Sequence, residues 1–240
     1  HVASQGNLVP IYREINADLE TPVTAYLKVA RRPYSFLLES AEGGERLARY
    51  SFIGTEPTKI IKTGPSEEYG PVDPLRIIED TLQSFRMIPV EGLPRFHGGA
   101  VGYLAYDTIY YSEPRLRPPL ADPLGVPEAL FMLSDTLVIF DHVRQKIQVV
   151  SHAYLDEGVE RAYANAVRKI ETLIGRLECP LPSASPTHAP PSAGSYTSNF
   201  TKTEYLNIVK RAKEYIVAGD IIQVVPSQRL ARPTSAAPFD

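Results

Sequence analysis

The residues that could do chemistry are few and scattered. Five histidines stand at positions 1, 97, 142, 152 and 188, with no metal-ligand spacing among them. Cys179 is the single cysteine and has no partner for a disulfide or a thiolate site. All six read as ordinary surface or turn residues. Gly98-Gly99-Ala100-Val101-Gly102 does not have the spacing of a dinucleotide loop, and no phosphate-binding loop occurs. Two polar residues stand out by position. Gln223 sits inside the apolar run Ile221-Ile222-Gln223-Val224-Val225. Glutamine has no titratable base, so it can position a reactant by hydrogen bonding but cannot take its proton. Ser40 closes the run Tyr34-Ser35-Phe36-Leu37-Leu38-Glu39-Ser40. Taken alone, Gln223 reads as a polar residue on a half-buried strand and Ser40 as a strand-end turn residue.

The elements that would position these residues belong to an ordinary globular chain. Its 240 residues suffice for one large domain or two modest ones, and 43% hydrophobic residues support a core that needs no covalent staple. The net charge of -3, with both signs interspersed, leaves neither a basic stripe for nucleic acid nor a polybasic block for a membrane surface. No stretch approaches the ~20 apolar residues of a membrane span. His1–Gln5 has no secretory pattern, and the cytoplasm is the expected location.

Thr21-Pro22 opens a first helix with Val23, Tyr26, Leu27 and Ala30 on one face. Strands are expected over 34–40, 50–54 and 58–62, with a turn at Gly43-Gly44. Asp73-Pro74 opens a second helix carrying Leu75, Ile78, Leu82 and Phe85. Gly98–Asp107 reads as a strand-like run in which glycines allow a close backbone approach. Residues 129–141 and 145–154 read as one long antiparallel hairpin. The helix expected over 156–177 has a single apolar stripe of Val159, Ala162, Tyr163, Ala166, Ile170, Leu173, Ile174 and Leu177. Pro180–Ser195 is too poor in apolar residues to pack. Thr201 and Glu204 then form a capping box, Gly219 ends the helix, and a strand is expected at 221–225. One helix and one strand cannot bury their own apolar faces, so the sequence is expected to be cut, with a larger unit beginning near residue 199.

Three segments together carry a resemblance. Leu37-Leu38-Glu39-Ser40-Ala41 with Gly43-Gly44-Glu45-Arg46 and Arg49-Tyr50-Ser51-Phe52-Ile53-Gly54 is similar to the opening signature of anthranilate synthase component I. Gly98–Asp107 resembles that family's second signature. Ala218-Gly219-Asp220-Ile221-Ile222-Gln223-Val224-Val225-Pro226-Ser227-Gln228-Arg229 resembles the start of its chorismate-binding domain. The resemblance implies an α+β fold, an antiparallel β-sandwich flanked by helices and here truncated. It divides the chain into an amino-terminal domain over 1–178, a flexible linker over 179–198, and the incomplete start of a catalytic domain over 199–240.

It also implies a reaction: chorismate loses its 4-hydroxyl, gains ammonia at C2 and eliminates pyruvate to give anthranilate, the first step of tryptophan biosynthesis. Ammonia would come from a glutamine amidotransferase subunit (component II). Mg2+ would be bound by the missing carboxy-terminal part, with no metal ligand in this fragment, which alone is expected to be inactive. Water-adding relatives carry lysine where Gln223 stands, so Gln223 is the expected nucleophile-positioning residue for an amine. Leu38, Glu39, Ser40, Tyr50 and Ser51 are expected to line a feedback site for L-tryptophan, with Arg49 nearby. The large subunit of aminodeoxychorismate synthase, or an isolated amino-acid-binding regulatory module, are the competing readings.

Overall fold

The computed structural model describes residues 5–39, 49–116, 122, 124–182, 195–234 and 239. Two compact units divide at residue 182, the first over 1–182 and the second over 183–240.

In the first unit the order is β1 (Leu8–Asn16), α1 (Pro22–Val29), β2 (Ser35–Leu38), β3 (Tyr50–Thr55), β4 (Lys59–Thr63), α2 (Pro74–Gln83) and β5 (Gly99–Leu104). A short α3 (Ile109–Ser112) follows, then β6 (Ala129–Ser134), β7 (Thr136–Asp141), β8 (Lys146–Tyr154) and α4 (Val159–Glu178). A five-stranded antiparallel sheet has the order β1-β8-β7-β3-β2, and a three-stranded one the order β4-β6-β5. One core gathers Phe36, Leu137, Ile139 and Val150 from the larger sheet with Met132 of the smaller. The other gathers Ile53, Val138, Phe140, Ile147 and Val149 with Ala25 and Val29 of α1 and Ile170, Leu173 and Leu177 of α4. Period-2 alternation along β7 feeds both cores at once, which is why all six of its residues are buried. The result is the α+β sandwich with flanking helices.

Several features depart from the local reading or go beyond it. The run 129–141 is not one strand: it breaks at Asp135, and its halves join different sheets. Asp135 is 3% exposed, and its carboxylate accepts from the Lys169 ammonium at 2.6 Å and the Thr136 hydroxyl at 2.9 Å, which stabilises the switch between sheets. β1 is a strand despite Pro10, because it lies at the sheet edge, where a missing donor costs least. On α1 the buried face is Ala25 and Val29, whereas Val23 and Leu27 are exposed. The rotation is set where the Tyr26 hydroxyl meets Ser35 Oγ at 2.8 Å and Lys28 reaches the Leu177 carbonyl at 2.9 Å. α2 forms behind its Asp73 cap, but Leu75 and Leu82 remain exposed.

In the second unit α5 (Lys202–Ala218) has the Thr201–Glu204 capping box and a left-handed Gly219 at φ +83°. β9 (Thr197–Ser198) pairs with β10 (Leu230–Ala231), so a short strand occupies part of the expected linker. Residues 221–225, where a strand was expected, form none, and Gln223 is exposed. Without neighbouring strands, an extended apolar segment has nothing to pair with.

Candidate functional site

Of the residues expected to form an amino-acid site, Leu38, Glu39, Tyr50 and Ser51 lie at one end of β2 and β3. β2 is the last strand of its sheet, so among the described residues its outer edge has no strand partner. Leu38 pairs with Phe52, and Tyr50 with Asp141. Alternation places Leu38, Tyr50 and Phe52 on the face turned away from α1 and α4. Leu38 is 41% exposed, and the Tyr50 and Phe52 rings lie 6.0 Å apart. An apolar side chain resting on this face would meet Leu38 and Tyr50 while its backbone ran along the free edge of β2. Glu39 is exposed beside it. Ser40 and the Gly43-Gly44 turn lie outside the described residues.

Ser51 does not join that face. It points toward the helices, is 2% exposed, and its hydroxyl lies 2.8 Å from His142 Nε2. The strand pleat turns it away from Leu38 and Tyr50, and its hydrogen-bonding capacity is already engaged.

Arg49 anchors the corner. Its Nε and Nη2 donate to the two Asp141 carboxylate oxygens at 3.0 and 2.7 Å, and its guanidinium sits 4.8 Å from the centre of the Tyr50 ring. Asp141 also accepts from the Val143 and Arg144 amides at 3.2 and 3.1 Å. Burial alone would push the Asp141 carboxyl up, but the Arg49 hydrogen bonds, the two amides and the Arg49 charge together hold it below the usual carboxylate range. The corner is thus rigid and already neutralised, a platform more than a free charge for a ligand.

Two histidines that read as surface residues are in fact packed together. His152 is 4% exposed, and its Nε2 lies 3.1 Å from Nδ1 of His97. Burial first, then the proximity of His97, pushes the His152 imidazole down to about 4. Burial pushes His97 down as well. Gly98 makes room for this pair, because a Cβ there would lie 2.1 Å from His152 Cε1. The only hint in the sequence was the His97-Gly98 neighbourhood, and the partner is 55 residues away.

Among the described residues no group of three or more His, Cys, Asp or Glu is placed to hold a metal ion. Gln223 belongs to the second unit. Among the described residues no hydrogen bond ties its side chain within that unit, where Tyr205 donates to the Pro226 carbonyl at 3.1 Å.

A five-stranded antiparallel sheet backed by helices and faced by a smaller antiparallel sheet defines an α+β class of protein. The family model for chorismate binding enzymes matches residues 33–240, and the chain belongs to that family. It is 45% identical over 242 residues to the probable anthranilate synthase component 1 of Schizosaccharomyces pombe, covering 98% of this chain and 48% of the relative. To the component 1 of Saccharomyces cerevisiae it is 43% identical, again over 98% of this chain and 48% of the relative. The crystal structure of anthranilate synthase component I from Streptococcus pneumoniae superposes with a TM-score of 0.62 at 22% identity, covering 94% of this chain and 50% of that one, a likeness of fold alone. The chain spans about half the length of the curated relatives it matches.

Proposed function

We propose that this chain is the amino-terminal portion of the large component of an anthranilate synthase. The longer protein would convert chorismate and ammonia to anthranilate, pyruvate and water. The observation that carries this reading is the 45% identity to a component 1 relative over 98% of the chain, together with the family match over residues 33–240. Ammonia would come from a glutamine amidotransferase partner. Mg2+ would be held by residues beyond those described. Gln223 would position the amine, and its exposure within its own unit leaves it available to a pocket whose other walls are supplied elsewhere. L-Tryptophan would bind along the free β2 edge, with Leu38 and Tyr50 beneath the indole, Glu39 toward the ammonium and Ser40 beside the carboxylate. Such a ligand inhibits only if it binds one arrangement of the protein better than another.

The test uses the full-length protein with chorismate, magnesium and ammonium chloride, following anthranilate fluorescence and pyruvate release. Equimolar anthranilate and pyruvate are expected. Accumulation of aminodeoxychorismate with pyruvate retained, or of isochorismate, would overturn the assignment. A Ser40→Phe variant that is inhibited by tryptophan as strongly as the parent would remove Ser40 from the proposed site while leaving the reaction standing.

A further inference from the structure

At the opposite end of the β2–β3 hairpin from Leu38 and Tyr50 lies a cavity of about 260 Å³ between the sheet and α4. Its sheet wall is Thr55, Glu56 and Thr136, and its helix wall includes Arg168, Lys169, Thr172 and Arg176. Two ion pairs bracket it. Lys169 Nζ meets Asp135 Oδ2 at 2.6 Å, and the Arg176 guanidinium grips the Glu56 carboxylate through both terminal nitrogens. Seven residues separate Lys169 from Arg176, so the two struts stand roughly 10 Å apart along the helix. Glu56 meets Arg176 from a left-handed backbone conformation, φ +49°, that a glutamate rarely adopts. Such an outlier persists only where its surroundings hold it.

Between the struts the charges do not cancel. Three cations face the cavity and two carboxylates, Glu56 and Asp135, answer them. The remaining cation is Arg168. Among the described residues it pairs with no carboxylate, and its Nη2 donates only to the Asn165 side-chain oxygen at 3.1 Å. Arg168, Thr172 and Arg176 recur every fourth residue and share one face of α4. The Thr55 hydroxyl accepts from the Arg31 amide at 2.9 Å, which leaves its own proton free to donate. The Thr172 and Thr136 hydroxyls spend their protons on the Arg168 carbonyl at 2.8 Å and the Asp135 carboxylate at 2.9 Å, so the cavity presents an unanswered guanidinium and one free hydroxyl donor, Thr55, in a space large enough for a small molecule.

We propose that this cavity binds a small oxyanion, a phosphate or carboxylate group, with Arg168 as its principal counter-ion and Thr55 as its hydroxyl donor. Lys169 and Arg176 keep the walls apart through Asp135 and Glu56 and add to the positive field. The site shares no residue with the β2 edge or with Gln223, so it stands whether or not the tryptophan site and the chorismate reaction are as proposed.

Amide chemical-shift titration of the 240-residue chain with inorganic phosphate, and separately with acetate, at constant ionic strength tests it. Saturable shifts at Thr55, Glu56 and Thr172 are expected with at least one of the two anions. Response to phosphate alone or to acetate alone identifies the group that the site prefers. Arg168→Gln, an exposed change that leaves the fold intact, should weaken binding at least fivefold. Arg161→Gln, on the same helix but away from the cavity, should not. Absence of saturable shifts with either anion, or equal binding by the Arg168→Gln variant, would overturn the site.

Discussion

Arg49 and Asp141 show how one residue pair can be worth more to the fold than to a ligand. The carboxylate is almost fully buried and receives four donors, two from Arg49 and one each from the Val143 and Arg144 amides. Removing its charge leaves those donors poorly answered. Asp141→Asn should lower stability by about 1–3 kcal/mol near neutral pH, measured by urea unfolding. Because the folded carboxyl lies below its ordinary value, that contribution is present above ~3.9, the unfolded pKa, and fades as pH falls through it, so parent and variant should converge in acid. The His97–His152 pair acts at milder pH. With His152 pushed down to about 4, the unfolded chain binds protons that the folded chain refuses between ~6.5 and 4. Stability should be full above pH ~6.5 and decline below it, by on the order of 3 kcal/mol at the low end of that window. His152→Gln should flatten this slope. An unchanged slope in the variant would show that other groups set it.

At the scale of elements, strand contact distances decide what each position tolerates. Gly102 lies where β5 crosses β6, and a Cβ there would come within 1.9 Å of the Leu130 carbonyl oxygen and 2.7 Å of Phe131 Cα. Both are backbone atoms of a paired strand and cannot step aside. Gly102→Ala should cost about 1–3 kcal/mol in urea unfolding. Gly175 is the opposite case. It sits on the exposed side of α4 with no atom within 4 Å of where a Cβ would be. Gly175→Ala should stabilise by about 0.5–1 kcal/mol, because alanine restricts the unfolded chain and favours the helix. The glycine-bearing run Gly98–Leu104 was legible as a place of close approach, and two of its glycines prove to serve different neighbours: Gly98 the His152 ring and Gly102 the β6 backbone. The sequence pattern could not distinguish them, since both partners are distant in the chain.

For the molecule as a whole, the sandwich and the Gln223 segment belong to separate compact units. The proposed reaction asks different things of them. The β2 edge requires only the first unit to be folded, whereas Gln223 requires walls that its own unit does not provide. In the full-length protein, Gln223→Ala should reduce ammonia-dependent anthranilate formation about tenfold, the equivalent of one lost hydrogen bond to the reacting nitrogen. The Leu38 and Tyr50 face should be unaffected, so tryptophan binding to the same variant would be unchanged. A variant with undiminished ammonia-dependent turnover would relieve Gln223 of its proposed part.

Everything governed by nearest neighbours could be read from residues alone. Thr21-Pro22 and Asp73-Pro74 cap α1 and α2, Thr201 and Glu204 form their box, Gly219 adopts its left-handed turn, and of the expected stripe of α4 Ala162, Ala166, Ile170, Leu173, Ile174 and Leu177 are buried, while Val159 and Tyr163 stay exposed. These depend on backbone donors and helical spacing within a few residues. What required the tertiary structure was every choice made between distant partners. Pro10 is compatible with a strand only because β1 forms the sheet edge, and Asp135 ends β6 only because Lys169 waits on α4. Ser51 and Tyr50, adjacent in sequence, face opposite sides of one strand, so their assignment to a shared site depended on a pleat whose two sides are defined by what packs there. Burial of a histidine, rotation of a helix and pairing of a strand are properties of the neighbours, and the chain brings those neighbours together only when it folds.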